Sequence, residues 1–224
     1  MRDTARIEAA LRASFIFPLL GPAERLAFIE AGRSRRYESG QPIFSMGEPG
    51  TSMMLLESGE VRISYPSADG KVVTLSELQP GAVFGEIAML DGGARSADAT
   101  AATNCTVMSF EREHLMEMLR SNWALAEGVL KLVCARLRRS DERMADLAFF
   151  DLPARLAKIV LARAKAAPAG GPLRLSDAQS TLASLAGASR ETVNRCLRRW
   201  ERDGLVLIEE RRIVLLRPDA LRAL

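Results

Sequence analysis

Gly187-Ala188-Ser189-Arg190-Glu191-Thr192-Val193-Asn194-Arg195 decides how this chain is read. Gly187 fits a tight turn that needs a positive φ. Ser189 fits the N-cap of the helix that follows, its hydroxyl accepting an orphan amide. Leu182 and Leu185 before the turn, and Val193 and Leu197 after it, supply an internal face. The stretch therefore predicts two short helices joined at Gly187–Ser189. Arg190, Glu191, Asn194 and Arg195 then project on the outer face, too polar for a core. Arginine bonds bidentately to guanine O6 and N7, and glutamate accepts from cytosine N4, so this face has the chemistry to read base edges in a DNA major groove. Arg198, Arg199, Arg202, Arg211 and Arg212 are expected nearer the phosphates, adding affinity without sequence information.

The charge distribution points the same way. From Asp151 onward there are 14 Lys and Arg against 8 Asp and Glu, whereas the preceding residues carry 17 against 20. A basic C-terminal third on an acidic body implies a polyanionic partner for that third alone. Leu205–Leu216 reads as a hairpin around Glu209-Glu210-Arg211-Arg212, and Ala167-Pro168-Ala169-Gly170-Gly171-Pro172 as an exposed loop.

Upstream, Asp151-Leu152-Pro153 ends or kinks a helix, because proline removes a donor and restricts the residue before it. This is the expected hinge, with helix returning over 154–166. From Arg112 to Phe149 there is no proline and only Gly128, and the apolar period is helical. Trp123, Ala126, Leu130, Val133, Leu137, Ser140, Met144 and Leu147 step by three and four residues in alternation. A seam this narrow on a long helix usually faces a copy of itself, so a homodimer is expected.

Between Arg35 and Phe110 the pattern changes to short alternating runs, such as Val61–Tyr65, Val72–Leu75 and Thr106–Phe110, punctuated by glycines. Such spacing predicts an antiparallel roll or barrel. Residues 1–30 read as patchy helix, with Leu11, Phe15, Leu26 and Ile29 as core candidates. Within the roll, Gly85-Glu86-Ile87-Ala88 precedes Arg95-Ser96-Ala97. Gly85 allows close backbone approach, and Glu86–Leu90 can form a helical turn whose amides suit a phosphate. Arg95 can pair a phosphodiester bidentately, and Glu86 is an acceptor suited to a ribose 2′-hydroxyl.

With both cassettes quoted, the chain resembles the cyclic-AMP receptor protein / fumarate–nitrate reductase regulator (CRP/FNR) family over nearly its whole length. The resemblance implies an α+β fold: a jelly-roll-like, cyclic-nucleotide-binding β-roll over 1–111, a long dimerisation helix over 112–150, and a winged helix-turn-helix domain over 151–224. It implies that Glu86 meets the ribose, that Arg95, Ser96 and Ala97 meet the cyclic phosphate, and that Arg190, Glu191 and Arg195 read a palindromic site with TGTGA-like half-sites. Ser140 and Asp141 fall where the family's receptor protein brings two hydroxyl side chains to the adenine amine. Ser140 is conservative there and Asp141 is not. A carboxylate accepts from adenine N6 and can also take guanine N1–H and N2–H₂ together. cAMP is the expected effector, with cGMP as the alternative. A second departure is Ala178, where the family commonly caps the first helix with Ser or Thr; Ser176 or Asp177 is the expected substitute.

Other classes fit poorly. His114 is the only histidine, and Cys105, Cys134 and Cys196 match no metal or disulfide spacing. All three cysteines read as small core residues of a reducing compartment. No triad, metal cluster or Walker loop appears, so an enzyme is not expected, nor a resident cofactor. Iron–sulfur or haem sensing on this fold would need ligands the chain lacks. A constitutive DNA-binding protein, or one gated by another effector, remains the rival. With no signal peptide or membrane span, a cytoplasmic protein is expected, with RNA polymerase as a partner and the 167–172 loop as the candidate contact.

Overall fold

The computed structural model describes residues 4–67, 72–167, 171–209 and 212–224. The chain divides into two compact units, Met1–Leu137 and Arg138–Leu224.

The first unit opens with α1 (Thr4–Ala13), a 3-10 turn (Phe17–Leu19) and α2 (Pro22–Ala31). Strands β1 (Arg33–Tyr37), β2 (Pro42–Phe44), β3 (Ser52–Ser58), β4 (Val61–Pro66), β5 (Val72–Leu78) and β6 (Val83–Phe84) follow. Then come α3 (Glu86–Asp91), β7 (Asp98–Ala101), β8 (Cys105–Glu111), α4 (Arg112–Ser121) and α5 (Trp123–Phe149), of which the last continues into the second unit. The strands form two four-stranded antiparallel sheets, ordered β1-β8-β3-β6 and β2-β7-β4-β5. Alternation along β3 explains its unbroken apolar run. Met53 and Leu55 pack with Ile7, Leu11 and Phe28 of the helices, while Met54 and Leu56 pack with Phe84, Ala99 and Val107 between the sheets. A strand covered on both faces has no polar side. This is the predicted antiparallel roll.

Three details of the unit differ from expectation. Leu26 is exposed and Phe28 is fully buried, its ring centroid 3.9 Å from that of Phe110. Residues two apart on a helix lie on opposite faces, so once Phe28 is inward Leu26 cannot be. The helical stretch from Arg112 to Phe149 is two helices, because Asn122 leaves helical geometry at φ −127° and ψ 98°. Asn122 Oδ1 accepts from Leu125 N at 3.0 Å, capping α5, and Nδ2 donates to Glu24 Oε1 at 2.8 Å. Asn competes with the backbone in this way wherever a helix can end. Cys134, expected inside, is exposed on α5, whereas Cys105 and Cys196 are buried.

The second unit holds α6 (Leu152–Arg163), β9 (Lys165–Ala167), β10 (Gly171–Leu175), α7 (Gln179–Ala186), α8 (Arg190–Arg202), β11 (Val206–Glu209), β12 (Arg212–Leu215) and α9 (Pro218–Arg222). Its sheet is antiparallel, ordered β11-β12-β10-β9. The helix expected over 154–166 ends at Arg163, and Lys165–Ala167 is a strand paired with Gly171–Leu175, so strand reaches into both ends of the loop expected at 167–172. Residues 168–170 of that stretch, and Glu210 and Arg211 of the terminal hairpin, lie outside the described residues. The break at Asp151 is present. Asp151 caps α6 by accepting from Ala154 N at 3.0 Å, while Lys158 Nζ bonds both carboxylate oxygens of Asp146 at 2.7 Å. The two compact units divide upstream of this break, within α5.

Candidate functional site

The backbone at Gly85 is left-handed, φ 74° and ψ 10°. A Cβ there would stand 2.6 Å from Arg95 Nη1, so only glycine allows this approach. Arg95 is 5% exposed. Its Nη1 donates to Ser52 O at 2.8 Å and Gly85 O at 2.9 Å, and its Nη2 to Ser52 Oγ at 3.1 Å. The guanidinium carbon lies 4.3 Å from the centre of the Phe44 ring, within cation–π range. Burial lowers the Arg95 pKa, with Glu48 and Glu86 opposing the change; the group stays a cation.

Glu86, the first residue of the six-residue α3, is fully buried. Its Oε1 is paired with Arg136, which also donates to Val83 O. Its Oε2 is buried with no hydrogen-bond partner among the described residues. An unsatisfied buried carboxylate oxygen is costly, and a hydroxyl or amide donor brought to it would relieve that cost. Ala88 is buried, its Cβ 2.0 Å from where a Cβ on Gly50 would sit. Ile87 and Ser96 are exposed, and Ala97 is buried. The structure thus brings Gly85, Glu86 and Arg95 together and adds Ser52, Phe44 and Arg136, which sequence reasoning missed. Nothing in the run Arg136-Leu137-Arg138-Arg139 marks Arg136 as the inward one. A concavity of ≈ 800 Å³ lies elsewhere, lined by residues including Arg36, Gln41 and Asn104. It has no buried unsatisfied polar atom among the described residues, so the chemistry favours the Glu86–Arg95 pocket.

On α5, Leu125, Gly128 and Val129 face the first unit's own core. The seam residues Trp123, Leu130, Leu137, Met144 and Leu147 are all more than half exposed, and Ser140 and Asp141 are exposed as well. The helix therefore packs on its own unit with a different stripe from the one that carries the seam.

In the second unit, Gly187 closes α7 at φ 63°. Ser189 caps α8, its Oγ accepting from Thr192 N at 3.2 Å. Leu182, Val193 and Leu197 are fully buried, as expected, with Ala183, Ala186 and Trp200. Leu185 is only half-buried and stands outside that cluster; the small Ala183 and Ala186 let the two helices approach instead. Ala178 itself is the N-cap of α7 and makes no side-chain cap bond. Asp177 does not substitute, because its carboxylate is held by Arg163, with Nε at 2.9 Å. Arg190, Glu191, Arg195 and Arg198 are exposed. They form no ion pair within 4.0 Å among the described residues. Asn194 is half-buried, with its Oδ1 buried and unbonded. Burial pushes the Cys196 thiol on the inner face of α8 up to about 11, with Asp151 adding to it.

Comparison with known proteins matches both units to described domains. Residues 34–122 fit the model of the cyclic nucleotide-binding domain, and residues 154–224 that of the Crp-like helix-turn-helix domain. A CRP-like cAMP-activated global transcriptional regulator of Mycobacterium tuberculosis is 31% identical over 213 residues, spanning 93% of this chain and 95% of that protein. The chain belongs to the CRP/FNR family. The cyclic AMP receptor protein of Thermus thermophilus is 34% identical over 196 residues, covering 88% and 89%. The solved catabolite activator protein of Thermus thermophilus matches at 32% identity with a TM-score of 0.56, over 93% and 96% of the two chains. A c-di-GMP-responsive global regulator of Xanthomonas campestris shares the fold at a TM-score of 0.77 with 22% identity. This CRP/FNR-family chain is a DNA-binding transcription regulator, and its relatives are regulators rather than enzymes. Glu86 and Arg95 lie inside the nucleotide-binding match and α8 inside the helix-turn-helix match. Residues 123–153, which include Arg136, Ser140 and Asp141, belong to neither. Among the described residues no helix is long and apolar enough to cross a membrane.

Proposed function

We propose that this regulator is a homodimer gated by cAMP, with residues 1–111 binding the nucleotide, 112–150 forming the dimer and 151–224 binding DNA. The observation that carries the nucleotide reading is Glu86 Oε2, a buried carboxylate oxygen without a donor in the same pocket as the Arg95 cation. A ribose 2′-hydroxyl supplies that donor, and the cyclic phosphate supplies the charge Arg95 attracts. Gly85, Ile87 and Ala88 shape the wall, and Ser96 and Ala97 follow Arg95 to the phosphate. The base falls to Ser140 and Asp141 by the family resemblance. Two relatives carry cAMP in their names, which supports the same choice. cGMP is the second reading, favoured by Asp141, whose carboxylate matches the guanine N1–H and N2–H₂ edge.

The dimer reading rests on the apolar seam of α5. Nucleotide binding favours one register of that seam through its differential affinity for two states. The register sets the spacing of the two recognition helices. Ser189 positions α8, Arg190, Glu191, Asn194 and Arg195 read the TGTGA-like half-site, and Arg198 meets phosphate. The protein works in the cytoplasm, and RNA polymerase is the partner through which binding becomes regulation. Calorimetric titration tests the effector: cAMP is expected to bind with a preference over cGMP. A preference for cGMP would make Asp141 the base-selecting residue, and no heat with either would remove the nucleotide reading.

A further inference from the structure

We propose that Ser52 is a positioning residue for the ligand phosphate: it occupies the end-on edge of the Arg95 guanidinium and leaves the Nε–Nη2 edge to the phosphodiester. The inference rests on the nucleotide reading above and deepens it. A guanidinium has five N–H donors in a fixed planar fork. Ser52 takes one from each terminal nitrogen, its carbonyl from Nη1 and its hydroxyl from Nη2. Gly85 O takes the second Nη1 donor. Two donors remain, Nε–H and the outer Nη2–H. They lie on the same edge of the fork, parallel and spaced for two oxygens of one phosphate.

That edge is accessible although the residue is buried. Nε has no hydrogen-bond partner among the described residues, yet it is not among the buried unsatisfied atoms, so solvent reaches it. Phe44 covers a face of the guanidinium, which blocks rotation about the long axis. Ser52 is itself 9% exposed on β3, a strand buried on both faces, so it cannot swing away. The carbonyl of Ser52 alone would leave Nη1 as a pivot. The hydroxyl, bonded to Nη2, is the second point that fixes the angle of the open edge. A serine hydroxyl among Met53, Met54, Leu55 and Leu56 otherwise has no use in a strand of this kind.

The test is binding of cAMP and its Rp and Sp phosphorothioate diastereomers, by calorimetry, to the full-length wild-type protein, Ser52→Ala and Ser52→Thr. Wild type is expected to bind cAMP and to separate the diastereomers, since an edge held at one angle treats the two exocyclic oxygens differently. Ser52→Ala is expected to weaken cAMP binding by roughly tenfold or more, as for a hydrogen bond to a charged group. It should also shrink the diastereomer ratio while the protein stays folded and of unchanged oligomeric state. Ser52→Thr, which keeps the hydroxyl on the same carbon, should restore both affinity and ratio. Wild-type affinity and ratio in Ser52→Ala would overturn the proposal while leaving the nucleotide reading intact. So would a loss of affinity at an unchanged ratio, which marks a structural role alone, or equal binding of both diastereomers by wild type. No binding of any of the three by wild type would overturn the nucleotide reading and this proposal with it.

Discussion

At the scale of single residues, the chain keeps two buried charges, Glu86 and Arg95, in one pocket. Arg95 donates three hydrogen bonds to Ser52 and Gly85, and the rest of the roll's core does not depend on them. Arg95→Leu is expected to abolish the nucleotide response while leaving a folded protein of unchanged oligomeric state, read by calorimetry and light scattering. Ligand-dependent DNA binding persisting in that variant would remove the phosphate assignment. Arg190 is exposed at the start of α8 and has no ion pair among the described residues. Arg190→Ala is expected to cost about 1–3 kcal/mol on a specific site, and an equal loss on scrambled DNA would reassign it to phosphate. That Glu86 and Arg95 share a pocket and that Arg190 is exposed at the start of α8 was legible in the sequence, because their charges stand beside Gly85 and after Ser189. Ser52, Phe44 and Arg136 were not legible. Each reaches the pocket only when elements far apart in sequence meet, and each is an ordinary residue for its own element.

At the scale of elements, α5 carries two stripes with different purposes. One, built on Leu125, Gly128 and Val129, is buried in its own unit. The other, from Trp123 to Leu147, exposes large apolar side chains at heptad spacing, an arrangement that a lone chain has no reason to keep. Wild type is expected to sediment as the proposed dimer and Leu137→Glu as a monomer with the roll still folded; an unchanged dimer would place the interface elsewhere. Asn122 sets where this helix begins. Asn122→Ala removes the bond to Leu125 N and is expected to cost about 0.5–2 kcal/mol, as for other N-cap losses, measured by chemical denaturation. The seam was visible from period alone. The break at Asn122 was not, because no proline or glycine announces it. The stretch 167–172 was read as a loop because it holds proline, glycine and alanine rather than β-branched residues, yet Ala167 ends β9 and Gly171 and Pro172 begin β10. The pairing of β10 with both β9 and β12 comes from tertiary packing, which overrides propensity.

At the scale of the whole molecule, two units of different charge and chemistry share one chain. The roll buries Glu86 and Arg95, and the basic unit exposes Arg190, Arg195 and Arg198 on α8. The architecture was legible because the hydrophobic period changes three times along the chain, from patchy helix to strand, to long helix, to short helices. The position of the boundary was less so. Proline at 153 marks where the helix breaks, whereas the compact units part between Leu137 and Arg138. Asp146 and Lys158 tie the last turns of α5 to α6, so the end of the long helix belongs with the second unit.

Whether nucleotide controls DNA binding is read from the anisotropy of a labelled duplex, at fixed salt because phosphate contacts make affinity salt-dependent. On an inverted repeat of TGTGA half-sites, cAMP is expected to tighten binding while leaving affinity for scrambled DNA nearly unchanged. Equal affinity for the repeat with and without nucleotide would contradict the account and leave a constitutive DNA-binding protein.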